Sequence, residues 1–138
     1  MWTHEESIET SAAPARIWAL FRDVPGWKRW NDGIEHIELH GAFAAGGTFT
    51  MRPPGMDAFV STLLDVRENE AFTDETVLGG TRVLVHHRIE PLSPTRTRVV
   101  YATEIDGPQA ADIGPLITAD FGAVLLALKR LAESPAPR

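Results

Sequence analysis

The chain contains no cysteine, and this absence excludes several kinds of chemistry at once. Disulfide bonds, a thiolate nucleophile and thiolate metal ligands are all ruled out. The N-terminal stretch MWTHEESIE is acidic and polar, unlike the charged and then apolar pattern of a signal peptide. From these two features we expect a cytoplasmic protein.

Clustered positive charge and long apolar runs are also missing. The net charge is −6 and the basic residues are scattered, so we expect no nucleic-acid partner. No uninterrupted apolar run approaches the ~20 residues that a membrane span needs, so we expect no membrane insertion. His36 and His40 are four residues apart, but on a predicted strand that spacing separates them by ~13 Å. The sequence has no other metal-ligand spacing and no phosphate-binding loop, so we expect no metal and no cofactor.

Length and composition predict one globular domain over residues 1–138, because 138 residues with 43% hydrophobic content suffice for one core. The tail Ser134–Arg138 contains two prolines and is expected to be frayed. A first strand is predicted at 3–10 and a short helix begins at Pro14. Pro25 and Gly26 end that helix, and WKRWNDG forms a second short one.

The rest of the chain reads as a meander followed by one helix. Short turn-forming links separate the successive strands, which indicates antiparallel pairing. A long amphipathic helix is predicted over 109–133, kinked near Gly114 and Pro115. Since one helix cannot cover both faces of the sheet, we expect the sheet to curl around it and to leave a cavity. The predicted meander strands are 34–40, 46–52, 57–67, 71–78, 81–91 and 96–105.

Short motifs occur in a recognisable order along the chain. They are WKRWNDGIE from Trp27, LHGAF from Leu39, PPG from Pro53, FTDET from Phe72, RIEPL from Arg88 and the pair Gly107–Pro108. In this order they resemble the polyketide cyclase/dehydrase branch of the START-related superfamily, also called SRPBCC or Bet v 1-like. The resemblance extends over nearly the whole chain.

The resemblance implies an α+β helix-grip fold. In that fold a seven-stranded antiparallel sheet curls around a long C-terminal helix, two short helices follow the first strand, and a deep apolar cavity lies between. It also implies binding of lipids, aromatic compounds or polyketides. It does not imply a single reaction, so function has to be argued from the site.

The stretch VHHRIE holds two adjacent histidines, and the strand register separates them. If Gly79 and Gly80 form a two-residue hairpin turn, Phe72 pairs with His87. His87 then faces inward and His86 outward into solvent, so the two cannot chelate one ion. The predicted inward set is Phe72, Asp74, Thr76, Leu78, Val83, Val85, His87 and Ile89.

Asp74 and His87 are diagonal neighbours in this register. A carboxylate that orients an imidazole in an apolar cavity would make a general base. Alternatively, the two side chains only satisfy each other or a bound water, or a bulge turns Asp74 outward. On the next strand Tyr101 and Thr103 are placed inward, because the opposite choice would bury two arginines and a glutamate.

The candidate catalytic residues are therefore His87, Asp74 and Tyr101. Trp27 and Trp30 either cap the cavity or wedge the short helices onto the sheet. Gly122 either allows close helix packing or leaves cavity volume. The residues predicted to bind the ligand are Trp30, Met51, Phe72, Thr76, Val83, Val85, Thr103, Phe121 and Leu125.

Three functions remain open at this stage. The first is binding of a small hydrophobic, lipid-like or aromatic/polyketide ligand. The second is a cyclase or dehydratase in which His87, with Asp74 or Tyr101, moves protons. The third is a protein-interaction role of the co-chaperone or toxin type, and the oligomeric state is expected to be a monomer or a homodimer.

Overall fold

The computed structural model describes residues 1–135, so Ala136–Arg138 of the predicted frayed tail lie outside the described residues. An N-terminal strand is followed by two short helices, a six-stranded meander and two C-terminal helices. The strands are β1 (Trp2–Thr10), β2 (His36–His40), β3 (Thr48–Arg52), β4 (Phe59–Arg67), β5 (Ala71–Leu78), β6 (Thr81–Ser93) and β7 (Arg96–Asp106). The helices are α1 (Pro14–Arg22), a 3₁₀ helix (Val24–Arg29), α2 (Ala110–Thr118) and α3 (Phe121–Glu133).

The seven strands form one antiparallel sheet in the order β1-β7-β6-β5-β4-β3-β2. Each strand from β2 to β7 pairs with its neighbour along the chain, which confirms the predicted meander. β1 is the exception, since it joins the far side of the sheet beside β7. The N-terminal strand therefore closes the sheet from the end opposite to β2.

The hairpin between β5 and β6 has the predicted two-residue turn. Gly79 and Gly80 adopt φ angles of 55° and 82°, the left-handed conformation that this turn requires and that glycine adopts without strain. Phe72 accordingly pairs with His87. Leu78 was predicted to face inward, but it is the last residue of its strand and is 39% exposed.

The two short helices fold onto the inner face of the sheet through aromatic side chains. Trp27 donates a hydrogen bond from Nε1 to the carbonyl oxygen of Phe21 at 2.8 Å, and its ring lies 6.0 Å from that of Trp30. Both tryptophans are buried. Of the two alternatives for this pair, the structure favours wedging of the short helices onto the sheet.

The predicted single C-terminal helix is interrupted, but not at Gly114 and Pro115. Pro115 lies inside α2, and the break between α2 and α3 falls at Ala119 and Asp120. The Thr118 hydroxyl donates to the carbonyl oxygen of Gly114 at 3.0 Å, and this kind of back-bonding bends helices. Gly114 serves a different purpose, since a Cβ there would come within 2.5 Å of the Trp2 indole.

The helical region Ala110–Glu133 is long and apolar enough to cross a membrane by length and composition, although no uninterrupted apolar run marks it. In this structure both helices pack against β1. Leu116 is nevertheless 77% exposed. Gly122 is also exposed, and a Cβ added there would have no heavy atom within 4 Å, so neither close packing nor cavity volume explains this glycine.

Two apolar clusters fill the space between the sheet and the helices. The larger joins α1, the 3₁₀ helix and α3 to the middle of the sheet. The smaller contains Val83, Val85, Ile105 and Ala110. Phe121, the first residue of α3, packs against both clusters, so the break between the two helices lies where the clusters meet.

Candidate functional site

His87 is held on the inner face of the sheet by Phe72. Its Nδ1 lies 3.3 Å from the carbonyl oxygen of Phe72, and its ring stacks on the Phe72 ring at 3.9 Å with an 8° interplanar angle. Because a carbonyl oxygen only accepts hydrogen bonds, Nδ1 carries the proton. In a neutral imidazole the other nitrogen, Nε2, is then a free acceptor.

Asp74 is the acidic neighbour of this nitrogen. Its Oδ2 atom lies 4.0 Å from His87 Nε2, which is longer than a hydrogen bond. The register thus brings the pair together as predicted, but the imidazole is oriented by Phe72 rather than by the carboxyl group. Asp74 Oδ2 and His87 Nε2 therefore both remain available to hydrogen-bond a ligand or a water molecule.

Burial favours the uncharged form of both groups. It raises the pKa of Asp74 to about 7 and lowers the pKa of His87 to about 3, because the charged form of each loses its hydration. Burial also raises the pKa of the Tyr101 phenol, with a smaller contribution from Asp74. Near neutral pH the site therefore holds a neutral base, a protonated phenol and a carboxyl group that can still carry its proton.

Two further polar groups face this interior without partners. The Thr103 hydroxyl and the Trp30 indole nitrogen are buried and find no hydrogen-bond partner among residues 1–135. An unpaired buried donor costs on the order of 1–3 kcal/mol. By contrast, the Thr76 hydroxyl already has a hydrogen-bond partner, the Ser61 hydroxyl at 2.6 Å.

The predicted ligand-binding residues do not gather around one centre. Phe72, Trp30 and Leu125 belong to the larger cluster, with Met51 packed against it, whereas Val83 and Val85 form the smaller cluster. Phe121 is the predicted residue that links the two. The catalytic candidates His87 and Tyr101 are adjacent, with ring centroids 4.5 Å apart.

Aromatic side chains from outside the sheet complete the site, and sequence reasoning missed two of them. Phe21 of α1 and Phe43 of the loop before β3 lie 5.1 and 5.2 Å from the Phe72 ring. Phe121 lies 5.4 Å from Tyr101. These rings fill the interior around His87, where the sequence predicted a deep cavity, so a ligand has to displace one of them to reach Nε2.

The opposite face of the sheet carries a second cluster, around His86. A groove of about 780 Å³ lies on this face. His86 lies on the outer face, as predicted, and its side chain is 30% exposed. His86 bonds to the Thr73 hydroxyl through Nδ1 at 2.9 Å and to Glu104 through Nε2 at 2.5 Å. Thr73 was identifiable from the hairpin register, whereas Glu104 required the pairing of β6 with β7.

Among residues 1–135, no group of three or more His, Asp or Glu side chains is arranged to hold a metal ion.

A curled antiparallel sheet closed by C-terminal helices over an apolar interior defines the helix-grip, Bet v 1-like class of proteins. The model of the family "Polyketide cyclase / dehydrase and lipid transport" matches residues 1–133. The chain belongs to this family.

Solved structures support the same fold at low sequence identity. Norcoclaurine synthase from Thalictrum flavum, solved with dopamine and hydroxybenzaldehyde, has a TM-score of 0.78 at 17% identity, with 99% of this chain and 89% of that one covered. The protein XoxI from Bacillus cereus has a TM-score of 0.76 at 16% identity, with 95% of each chain covered. A protein from Chromobacterium violaceum gives 0.74 at 19% identity, with 98% and 100% covered. No curated protein sequence matches this chain significantly.

Proposed function

We propose that the chain binds a small hydrophobic ligand, lipid-like or aromatic/polyketide in character, between the inner face of the sheet and α2–α3. Family membership and fold support a ligand-binding or cyclase role in general. The observation that carries the proposal is the set of uncompensated polar groups in an apolar interior. Asp74, His87 and Thr103 each keep a hydrogen-bonding atom for a ligand whose remaining surface is apolar.

Ligand entry requires an opening, and the start of α3 is the best placed element to provide it. Phe121 is only partly buried and contacts Tyr101 edge-on. The helix break at Ala119 and Asp120 lies immediately before it. A small outward movement of α3 about this break would lift Phe121 from Tyr101 and uncover His87. A cytoplasmic location, a monomeric or homodimeric state and the lack of nucleic-acid or membrane partners are parts of the same proposal.

The alternative is a cyclase or dehydratase, and the adjacency of His87, Asp74 and Tyr101 makes it the second candidate. The neutral Nε2 of His87 would remove a proton from carbon next to a carbonyl group. Asp74, with its raised pKa, would give a proton to the carbonyl oxygen or to a departing hydroxyl. The proton on His87 Nε2 would then pass to the Asp74 carboxylate, 4.0 Å away, which restores both groups. Tyr101 would donate a hydrogen bond to the developing enolate oxygen. No cofactor takes part in this scheme.

The binding proposal is tested by ligand-induced thermal stabilisation. Medium-chain fatty acids and naphthols should raise the unfolding temperature of the wild type, because they bind only the folded state. The increase should persist in His87→Asn and in the matched surface control His36→Asn, because apolar contacts supply most of the affinity. If no apolar compound raises the unfolding temperature and native mass spectrometry finds no carried-over ligand, the proposal is wrong.

The enzyme alternative makes a separate prediction. Turnover of a poly-β-carbonyl thioester should fall by about 10²-fold or more in His87→Asn and in Asp74→Asn, as expected for the loss of a general acid or base. Binding of the substrate should be retained in both variants. Equal turnover by wild type and His87→Asn would exclude this mechanism while leaving the binding proposal intact.

A further inference from the structure

The groove on the outer face of the sheet is separate from the interior site, because side chains of consecutive residues on a strand point to opposite faces. Apolar and charged side chains share its walls, among them Leu64, Leu84, Arg67 and Arg88. Thr73 also lines it, although only 7% of this residue is exposed. Thr73 therefore lies at the bottom of the groove rather than at its rim.

Three side chains in this groove form a continuous hydrogen-bonded relay. The Glu104 carboxylate only accepts hydrogen bonds, so His86 Nε2 donates to it, and in the tautomer with this one ring proton Nδ1 is unprotonated. Nδ1 is then an acceptor, and the Thr73 hydroxyl donates to it at 2.9 Å. This is the arrangement of an activated nucleophile, with a hydroxyl, a base within hydrogen-bond reach and a third group that orients the base.

We propose that the Thr73–His86–Glu104 relay is an acyl-transfer site that hydrolyses small carboxylic esters bound in the outer groove. Thr73 and His86 act as catalytic residues, and Glu104 is the positioning residue that fixes the tautomer of the ring. The depth of Thr73 restricts the substrate to small esters. Leu64 and Leu84 provide an apolar surface for the alcohol or acyl group.

The reaction balances with water as the only other reactant. Thr73 Oγ1 attacks the ester carbonyl carbon, and its proton passes to His86 Nδ1. The C–O bond to the alcohol then breaks, and the departing oxygen takes that proton. Water then attacks the carbonyl carbon of the threonyl ester and gives a proton to Nδ1. The bond between that carbon and Thr73 Oγ1 breaks, Oγ1 takes the proton back from Nδ1, and the acid is released. During both steps Glu104 stabilises the positively charged ring.

Two arginines are placed to meet the negative charge that develops on the carbonyl oxygen. Arg67 and Arg88 both line the groove. Each is partly neutralised, Arg67 by Asp65 at 3.0 Å, and Arg88 by Glu5 at 2.8 Å and by Glu90 at 3.5 Å. A guanidinium has five donors in a fixed fork, so each can keep its carboxylate and still donate to an oxyanion.

The experiment uses p-nitrophenyl acetate as the probe. Release of p-nitrophenol should show a burst followed by steady turnover, and peptide mapping by mass spectrometry should find one acetyl group on Thr73. Thr73→Val should abolish the burst and the modification. His86→Asn should slow acetylation by about 10²-fold or more, in line with the loss of a general base.

Glu104→Gln distinguishes positioning from a merely structural role. It should lower the acetylation rate constant while the half-saturating ester concentration and the unfolding temperature stay close to wild type. Thr62→Val is the matched control, because Thr62 lies on the same face of the neighbouring strand β4 and is not part of the relay. It should leave the burst unchanged.

Acetyl groups found only on lysines or on the N-terminal amine, at the same rate in Thr73→Val as in wild type, would overturn the proposal. An equal burst in His86→Asn and wild type would do the same. Neither outcome bears on ligand binding in the interior, so failure here is distinguishable from failure of the proposed function.

Discussion

His87 and Asp74 are buried as uncharged side chains, and this ties the stability of the protein to pH in two opposite ways. The pKa of His87 falls from 6.5 to about 3 on folding. Its contribution to stability is therefore complete above pH 6.5 and is lost as the pH falls toward 3. The pKa of Asp74 rises from 3.8 to about 7, so its contribution is complete below pH 3.8 and is lost as the pH rises through 7.

Between about pH 4 and 6.5 the two groups change the free energy of unfolding with pH by similar amounts in opposite directions, so their effects cancel in the wild type. Variants that lack one of the two groups should reveal the effect of the other. In Asp74→Asn only the histidine term remains, so the free energy of unfolding should rise with pH by roughly 1.4 kcal/mol per unit. In His87→Asn only the carboxyl term remains, so it should fall with pH by a similar amount. Urea unfolding followed by tryptophan fluorescence at several pH values measures both slopes.

His36→Asn is the control for this residue-scale prediction. His36 is exposed on β2, and its substitution should leave the pH dependence of the wild type unchanged. Parallel pH profiles for wild type, Asp74→Asn and His87→Asn would show that neither side chain is held in its neutral form by the fold.

The two glycines of the C-terminal helices differ in the space that they leave for an added methyl group. A Cβ at Gly114 would lie 2.5 Å from the Trp2 indole, whereas none of the surrounding heavy atoms lies within 4 Å at Gly122. Gly114→Ala should destabilise the protein by about 1–3 kcal/mol through overpacking. Gly122→Ala should stabilise it by up to about 1 kcal/mol through higher helix propensity.

Chemical denaturation of the two variants beside wild type checks this element-scale prediction. The substitution is the same in both, so the difference between them isolates packing from propensity. Equal effects at the two positions would mean that Trp2 does not press on α2 as the structure shows.

At the same scale, local turn chemistry made β5 and β6 predictable from sequence. The Gly79–Gly80 turn fixes the register of the hairpin, and this placed His87 beside Asp74 correctly. The break before Phe121 was not predictable in this way, because it follows from a hydrogen bond within α2 and from packing on β1. The groove on the outer face could not be predicted from the sequence either, because its walls come from strands that meet only in the folded sheet.

For the whole molecule, β1 protects the edge of the sheet next to the site. It covers β7, where its residues pair from Trp2 with Ile105 to Thr10 with Thr97. Deletion of residues 1–10 would leave the backbone donors and acceptors of β7 unpaired and would remove the surface on which α2 and α3 pack. We expect loss of cooperative unfolding and association into larger species, measured by circular dichroism and size-exclusion chromatography.

Ser7→Thr is the control for the deletion, because it keeps β1 and changes only a side chain on the outer face. It should remain folded and elute as the wild type does. A deletion variant that unfolds cooperatively at the wild-type temperature would show that β1 contributes little to the fold.

The position of β1 also has a consequence for the order in which the protein assembles during synthesis. Strands β2 to β7 pair with neighbours that leave the ribosome just before or after them. β1 is made first, yet its partner β7 ends at Asp106, so it must wait until most of the chain has emerged. Pairing between such distant segments carries a high loop-closure entropy and is slow. Of the seven strands, the one synthesised first is thus among the last to pair.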